Sequence, residues 1–139
     1  MQTTTETIAK GLTLEYYPDG VMIYRLTTMQ RQSIDAWIDL VQQHEHAATI
    51  AQRPLYRVLD LRQAGYPTPY ASTRAVWVAT NTPENLVESL AVLVADTVAL
   101  QFVKVVTNRL PSRYRSAVKL FLNEQEALDW LAYRRSELR

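Results

Sequence analysis

Leu55-Tyr-Arg-Val-Leu-Asp-Leu61 has the length and the apolar density of a strand that is buried on both faces. Residues 62–68, which contain a glycine and a proline, follow it as a loop. Thr68 can cap a helix that has Pro69 at its first position and continues through residues 70–80. A buried strand that is joined by a loop to a helix predicts one unit of a parallel α/β sheet.

The same unit recurs toward the C-terminus. Residues 89–95 predict a second buried strand, and Asp96 can cap a helix that extends to about residue 109. The helical period is carried by four apolar residues that share one face, which are Val98, Phe102, Val106 and Leu110.

A third unit begins with residues 117–122, which predict the last strand. Asn123, with Glu126 three residues later, is typical of a capping box at the start of a final helix. Trp130 and Leu131 lie on the side of this helix that should pack inward.

A hairpin and a long helix precede these units. Residues 12–17 and 21–27 alternate apolar with polar side chains, and Pro18-Asp-Gly20 between them has turn chemistry. Residues 30–52 change to a helical period, with one apolar face formed by Ile34, Trp37, Ile38, Val41 and Ala48. This segment predicts an amphipathic helix that covers a sheet.

The elements give the order ββαβαβαβα in a single α/β domain that spans residues 1–139. We expect a mixed sheet of four to five strands, with the hairpin at one side and parallel inner strands joined by right-handed crossovers. Residues 1–10 are predicted to be loosely ordered. The predicted core includes Ile38, Val58, Phe102, Trp130 and Leu131.

The composition limits the classes of function. The chain contains no cysteine, which excludes disulfides, thiolate metal sites and a cysteine nucleophile. The net charge of +1 gives no global attraction to nucleic acid or to an anionic membrane. Residues 1–96 carry 7 basic and 10 acidic side chains, whereas residues 97–139 carry 8 and 4. This split suits antiparallel self-association or an acidic partner, or it reflects a chance distribution of solvated charges.

The sequence gives two expectations about location. The N-terminus is polar and lacks a basic stretch followed by an apolar run, so we expect a cytoplasmic protein. The apolar region at residues 90–106 is interrupted by Asp96, Gln101 and Lys104, so it is too polar to span a membrane.

Four segments carry a resemblance to a known family. They are the hairpin at residues 12–27, Tyr56-Arg-Val-Leu-Asp-Leu61, Leu90-Ala-Val-Leu-Val-Ala-Asp96 and Val118-Lys-Leu-Phe-Leu-Asn-Glu-Gln-Glu-Ala-Leu-Asp-Trp-Leu131. In pattern and order they look like the SpoIIAA-like family, which is related in fold to the STAS domains of anti-sigma-factor antagonists. The resemblance implies a small α/β domain built on a β-α superhelix. It also implies a regulatory or binding module rather than an enzyme.

The sequence departs from this family at its phosphorylation site. Sigma-antagonist members carry a phosphorylatable serine in an Asp-Ser-Ser-Gly type turn, which opens the helix after the central strand. The comparable stretch here, Pro69-Tyr-Ala-Ser-Thr-Arg74, has neither an acidic residue nor a glycine. Ser72 and Thr73 lie near a helix N-terminus, where phosphate is favoured, but serine and threonine also occur there as solvated helix residues. The departure favours the solvated alternative.

Asp60 is an acidic residue within an otherwise apolar strand. It lies near the strand end at which open α/β sheets place their ligands. If it is buried, its carboxylate needs hydrogen-bonding partners. Asp60 therefore either contacts a ligand or, as we favour, accepts backbone N–H bonds or pairs with an arginine and so holds the next loop.

Other chemistry-bearing segments give negative expectations. The two histidines of His44-Glu-His46 point roughly 160° apart at about 100° per residue, so no metal site is expected there. The basic loop at residues 109–115 is too small for a nucleic-acid surface. The sequence contains no glycine-rich phosphate loop, no nucleophile elbow and no recognisable pair of catalytic carboxylates. We therefore expect neither an enzyme nor a cofactor.

Two hypotheses about function remain. The first is a non-catalytic STAS-like regulatory or protein-interaction module that associates as a homodimer. The second is a small-molecule or lipid-binding domain with a pocket between the sheet and the helices, near Asp60, Tyr66, Tyr70 and Trp77. A closed core with an exposed apolar patch favours the first hypothesis, and an internal cavity with polar groups favours the second.

Overall fold

The structure is a computed structural model that describes residues 3–137. Within that range the chain forms six strands, which are β1 (Thr4–Ala9), β2 (Leu12–Tyr16), β3 (Met22–Leu26), β4 (Leu55–Asp60), β5 (Glu88–Leu93) and β6 (Val118–Phe121). The same range contains five helices, which are α1 (Arg31–Ala51), α2 (Pro69–Thr80), α3 (Thr97–Thr107), α4 (Ser112–Arg115) and α5 (Glu124–Glu137).

The strands form one mixed sheet whose order is β1-β2-β3-β4-β5-β6. The pairs β1–β2 and β2–β3 are antiparallel, and the pairs from β3 to β6 are parallel. The predicted α/β class, the hairpin and the parallel inner strands are therefore confirmed. Strands that follow one another in the sequence are also neighbours in the sheet.

The sheet has one strand more than the predicted four to five. The additional strand, β1, lies in the segment expected to be loosely ordered, and its pairs run from Thr4 opposite Tyr16 to Ala9 opposite Leu12. Residues 1–2 of that segment lie outside the described residues. Most side chains of β1 are exposed, so its ladder of backbone hydrogen bonds, rather than an apolar face, holds it in place.

Three helices begin at the capping residues that the sequence predicts. The Thr68 side chain accepts a hydrogen bond from the Ala71 amide at 3.1 Å, and Asp96 accepts one from Ala99 at 2.8 Å. Asn123 accepts one from the Glu126 amide at 3.0 Å. Each bond satisfies an amide at the helix start that has no partner within the helix.

The two faces of the sheet carry separate apolar clusters, because successive strand residues point to opposite sides. One cluster joins strand residues such as Leu14, Leu59 and Val92 to α1, α2 and α3. The other joins Val58 and its neighbours to α5. Within the described residues, three helices thus cover one face and α5 covers the other.

Two of the predicted core residues are not buried as expected. Phe102 is 51% exposed, and Trp130 is only partly buried, whereas Ile38, Val58 and Leu131 are fully buried. On α3 the buried residues are Ala99 and Val103, so the inward face lies one residue beyond the predicted one. The prediction was wrong because α3 is apolar on two adjacent faces, and helical period alone does not choose between them.

The turn between β1 and β2 should be sensitive to substitution at Gly11. Its φ is +77°, and an added Cβ would overlap Thr28 Cγ2 and lie 2.8 Å from Ser33 Oγ. We expect Gly11→Ala to lower the free energy of unfolding by about 1–3 kcal/mol in a urea titration. Gly20→Ala is the matched control, since Gly20 has φ +93° but open space around its Cβ. If both variants lose the same free energy of unfolding, the overlap of the added Cβ with Thr28 and Ser33 does not contribute to the effect.

Candidate functional site

A cavity of about 100 Å³ lies between the sheet and helices α1, α2 and α3. Its wall is mostly aliphatic and includes Leu26, Leu59 and Val92 from the sheet and Val41, Val78 and Val103 from the helices. The lining also includes half-buried residues of α2 and of the segment that follows α3, such as Ala75 and Leu110. The cavity thus extends from the core toward the protein surface.

Two residues that line this cavity each have a buried N–H donor without a hydrogen-bond partner among residues 3–137. The donors are Nε of Arg57, on β4, and Nε1 of Trp37, on α1. Both residues are more than nine-tenths buried. A buried donor without a partner carries a desolvation cost of about 1–3 kcal/mol. Both nitrogens are shielded from the cavity, whose exposed wall is almost entirely apolar.

The other nitrogens of Arg57 hold a buried polar network, here called the Arg57 cluster, which consists of Arg57, Glu45, Glu88, Tyr24 and Thr82. Arg57 Nη2 donates to Glu88 at 2.7 Å and to Glu45 at 3.3 Å, and Nη1 donates to the Tyr24 hydroxyl at 3.3 Å. The Thr82 hydroxyl lies 3.3 Å from both carboxylate oxygens of Glu45. Nε is therefore the one nitrogen of this guanidinium that has no hydrogen-bond partner among the described residues.

The Arg57 cluster contains one cation and two carboxyl groups. Burial raises the pKa of Glu45; the Arg57 charge opposes this shift and the Glu88 charge adds to it. Burial also disfavours the charged form of Arg57, but Tyr24, Glu88, Tyr114 and Glu45 outweigh it and raise the pKa of the guanidinium. The cluster thus holds a permanent positive charge, and the raised pKa means that Glu45 takes up a proton more readily than an exposed glutamate does.

His44 extends the Arg57 cluster toward the surface. Its Nδ1 lies 2.7 Å from the Tyr24 hydroxyl, and the two rings stack with centroids 5.7 Å apart. Arg57 donates to the same hydroxyl oxygen, which leaves the hydroxyl hydrogen for donation to Nδ1. Burial, together with the charges of Arg57 and Arg53, lowers the pKa of His44 to about 4. His44 is therefore neutral at pH 7.

The low pKa of His44 makes stability depend on pH. Between its ordinary pKa of 6.5 and its folded value of about 4, the unfolded chain binds more protons than the folded protein. The free energy of unfolding should therefore fall as the pH is lowered through this window. His44→Gln, which keeps an acceptor for Tyr24, should reduce the fall in urea titrations at pH 7, 6, 5 and 4. His46 is exposed, so His46→Gln should leave the fall in the free energy of unfolding unchanged. Identical pH profiles for the two variants would contradict the assignment of this fall to His44.

Asp60 lies on the other face of the sheet, at the end of β4. Its Oδ1 accepts from the Arg62 amide and Nε, both at 3.0 Å, and its Oδ2 accepts from Arg25 at 2.6 Å and from Arg62 Nη2 at 3.0 Å. Burial opposes ionisation, but the bonds from Arg62 and Arg25 prevail and lower the pKa of Asp60. Glu15 and Glu124 complete this group of ion pairs. Asp60 thus pairs with arginines and accepts a backbone N–H bond, as in the alternative that we favoured from the sequence. These contacts hold the loop after β4.

The remaining predicted site residues lie apart from one another. Ser72 is half-buried and lines the cavity, whereas Thr73 is exposed on the same helix. Tyr70 donates its hydroxyl hydrogen to Asp35. Trp77 is 41% exposed and lies under the Arg74 guanidinium, 4.6 Å from the ring centroid. Of the six predicted residues, only Ser72 contributes to the cavity wall.

Tyr66, the sixth of these residues, belongs to an exposed apolar patch. Its ring stacks on Phe102 with centroids 4.8 Å apart and planes 19° apart. Val98 and Val105 lie on the same face of α3 and are 53% and 64% exposed. These four residues, here called the α3 patch, join the loop after β4 to α3.

Two of the groups at the cavity were not predicted. The sequence contains a signal for one of them: in the strand at residues 55–61, Arg57 falls on the same side as Leu55 and Leu59, where a charged side chain must be buried. Trp37 was expected in the core, but nothing in the sequence indicates that its indole N–H lacks a partner.

Among residues 3–137, no group of three or more histidine, aspartate or glutamate side chains could hold a metal ion. None of the helices in that range combines the length and hydrophobicity that a bilayer span requires. The chain matches no family model, no curated protein and no solved structure.

Proposed function

We propose that this chain is a non-catalytic binding domain that takes a small apolar molecule into the cavity between its sheet and helices α1, α2 and α3. The observation that carries the proposal is the cavity itself, an almost wholly apolar space of about 100 Å³ that extends from the core toward half-buried residues of α2 and of the segment after α3. Ligand pockets are lined predominantly by apolar side chains in this way.

The size of the cavity limits the ligand. Drug-sized ligands occupy pockets of about 300–1,000 Å³, and an engineered cavity of about 150 Å³ accepts benzene. A volume of about 100 Å³ therefore suits a small ring or a short chain of roughly four to six non-hydrogen atoms. Cyclopentanone and its hydrocarbon counterpart methylenecyclopentane are suitable probes, because they have this size and nearly the same shape.

Filling the cavity should abolish binding. Ala75 is a half-buried wall residue on α2, and Ala75→Leu adds three carbon atoms toward the cavity. We expect both probes to bind the wild-type protein and to bind Ala75→Leu at least about tenfold more weakly, since a lost contact of about 1.4 kcal/mol has that effect. NMR titrations of the backbone amides measure the affinities.

The control for this experiment is Ala47→Leu, which makes the same change at an exposed position of α1. It should bind both probes like the wild type. If neither probe perturbs the wild-type amides of the cavity wall, the proposal fails. Equal weakening by the two variants would also count against it.

A second candidate function is a self-associating, STAS-like interaction module. The resemblance to the SpoIIAA-like family and the exposed α3 patch support it, because contiguous exposed apolar residues mark interaction surfaces. The unequal charges of residues 1–96 and 97–139 favour a second copy of the chain as the partner, in an antiparallel arrangement.

Sedimentation equilibrium tests this second candidate. If the α3 patch joins two copies, the wild-type protein should be a dimer and Phe102→Ser should be a monomer. Tyr133→Ser, which changes a similarly exposed aromatic residue on α5, should remain a dimer. A monomeric wild-type protein at all concentrations would exclude this function.

A further inference from the structure

We infer that a second pocket, here called the arginine pocket, binds a small phosphate monoester between Arg113 and Arg134. This pocket has a volume of about 190 Å³ and lies beside the starts of β5 and β6. The inference does not depend on the proposed function, because the arginine pocket shares only Tyr114 with the apolar cavity. It rests on two arginines that are held in place by neutral groups.

The wall of the arginine pocket combines cations with apolar side chains. Arg113 comes from α4 and Arg134 from α5, whereas Leu86, Val87 and Ala117 contribute apolar surface. Arg113 is exposed and Arg134 is half-buried, so a ligand that enters from solvent can reach both side chains.

Neutral groups fix the positions of the two guanidinium groups. Arg113 Nη2 donates to the Thr82 carbonyl at 3.1 Å, and Arg134 Nε donates to the Ser89 hydroxyl at 2.9 Å. The Arg134 guanidinium also lies over the Trp130 ring, 5.5 Å from its centroid. Each arginine uses one nitrogen in these bonds and keeps other N–H groups for a ligand. Side chains that are ordered before binding lose less entropy when the ligand binds.

The charges of the arginine pocket favour an anion. Among the described residues, neither Arg113 nor Arg134 forms an ion pair with a carboxylate. Two acids also line the pocket, but Glu88 is paired with Arg57 at 2.7 Å, and its side chain is only 5% exposed. Two cations therefore face one free acid, the exposed Glu84. This balance attracts a negatively charged ligand.

A phosphate monoester fits two arginines better than a carboxylate does. A guanidinium binds two oxygens of one anion side by side, in a planar fork. A phosphate monoester has three terminal oxygens, so it can place two on one arginine and the third on the other. A carboxylate has only two oxygens in all. The carbon chain of the ester can contact the apolar part of the wall, such as Leu86 and Val87.

Three probes test the chemical class of the ligand: propyl phosphate, butyrate and the uncharged trimethyl phosphate. NMR titrations of the backbone amides at pH 7, where the monoester carries a charge of about −1.5 to −2, measure the affinities. Propyl phosphate should shift the amides of residues 82–88 and 113–117. It should bind at least about tenfold more tightly than butyrate, because it makes additional hydrogen bonds to charged donors. Trimethyl phosphate should leave these amides in place.

Arg113→Gln and Arg134→Gln should each weaken the binding of propyl phosphate at least about tenfold. Arg115→Gln is the matched control and should bind like the wild type, because Arg115 is exposed on the same helix as Arg113 but does not line the pocket. Equal weakening by Arg113→Gln and Arg115→Gln would overturn the inference, since it would indicate a general attraction to basic residues. Wild-type protein that binds butyrate or trimethyl phosphate as tightly as propyl phosphate, or that binds none of the three, would overturn it as well.

Discussion

Arg57→Met should lower the free energy of unfolding by about 3–5 kcal/mol, because it leaves Glu45 and Glu88 buried without their cation. Both carboxyl groups are almost fully buried, so water cannot take the place of the guanidinium. Urea titrations at pH 7, with the transition slope checked for constancy, measure the effect.

Two further variants separate the charge from the packing in this prediction. In the triple variant Arg57→Met, Glu45→Gln, Glu88→Gln, the loss should be much smaller, since no unpaired charge remains. Arg62→Met is the control outside the core. It removes an arginine whose side chain is 36% exposed, so it should cost no more than about 1 kcal/mol. A cost below 1 kcal/mol for Arg57→Met would show that the ion pairs do not contribute as we describe.

Leu131→Ala should lower the free energy of unfolding by about 2–5 kcal/mol, through lost burial and the cavity left behind. Leu131 is fully buried on α5, the helix that covers the second face of the sheet. Leu122→Ala is the matched control. Because Leu122 is 44% exposed, this substitution should lower the free energy of unfolding by less than about 1 kcal/mol. Equal losses, measured by urea titration, would contradict the assignment of α5 as the cover of that face.

Most of the fold could be predicted because each unit carries its own local signals. The helix-capping residues Thr68, Asp96 and Asn123 mark where the predicted helices begin, and apolar runs mark the parallel strands. β1 could not be predicted, since most of its side chains are exposed and its polar sequence carries no pattern of burial. β1 is held at the edge of the sheet by backbone hydrogen bonds to β2, and the side chains of β1 give no sign of this pairing.

The candidate site was harder to predict than the fold. The predicted ligand pocket stays a hypothesis, and the wall of the cavity contains only Ser72 among the predicted site residues. A cavity results from how side chains of distant elements fill space, and periodicity does not record this. The pairing of Asp60 with an arginine could be predicted from the sequence, because a buried carboxylate needs a partner and Arg62 is only two residues away.

The order of the strands has a consequence for synthesis on the ribosome. Since each strand pairs with the one before it in the chain, β2 to β6 can add in turn as they emerge, with few long loops to close. The face that carries Val58 and Ala91 cannot be covered until α5 has been made. During translation this apolar strip therefore stays open to solvent until α5 has emerged, and the burial of Leu131 against it completes the second cluster.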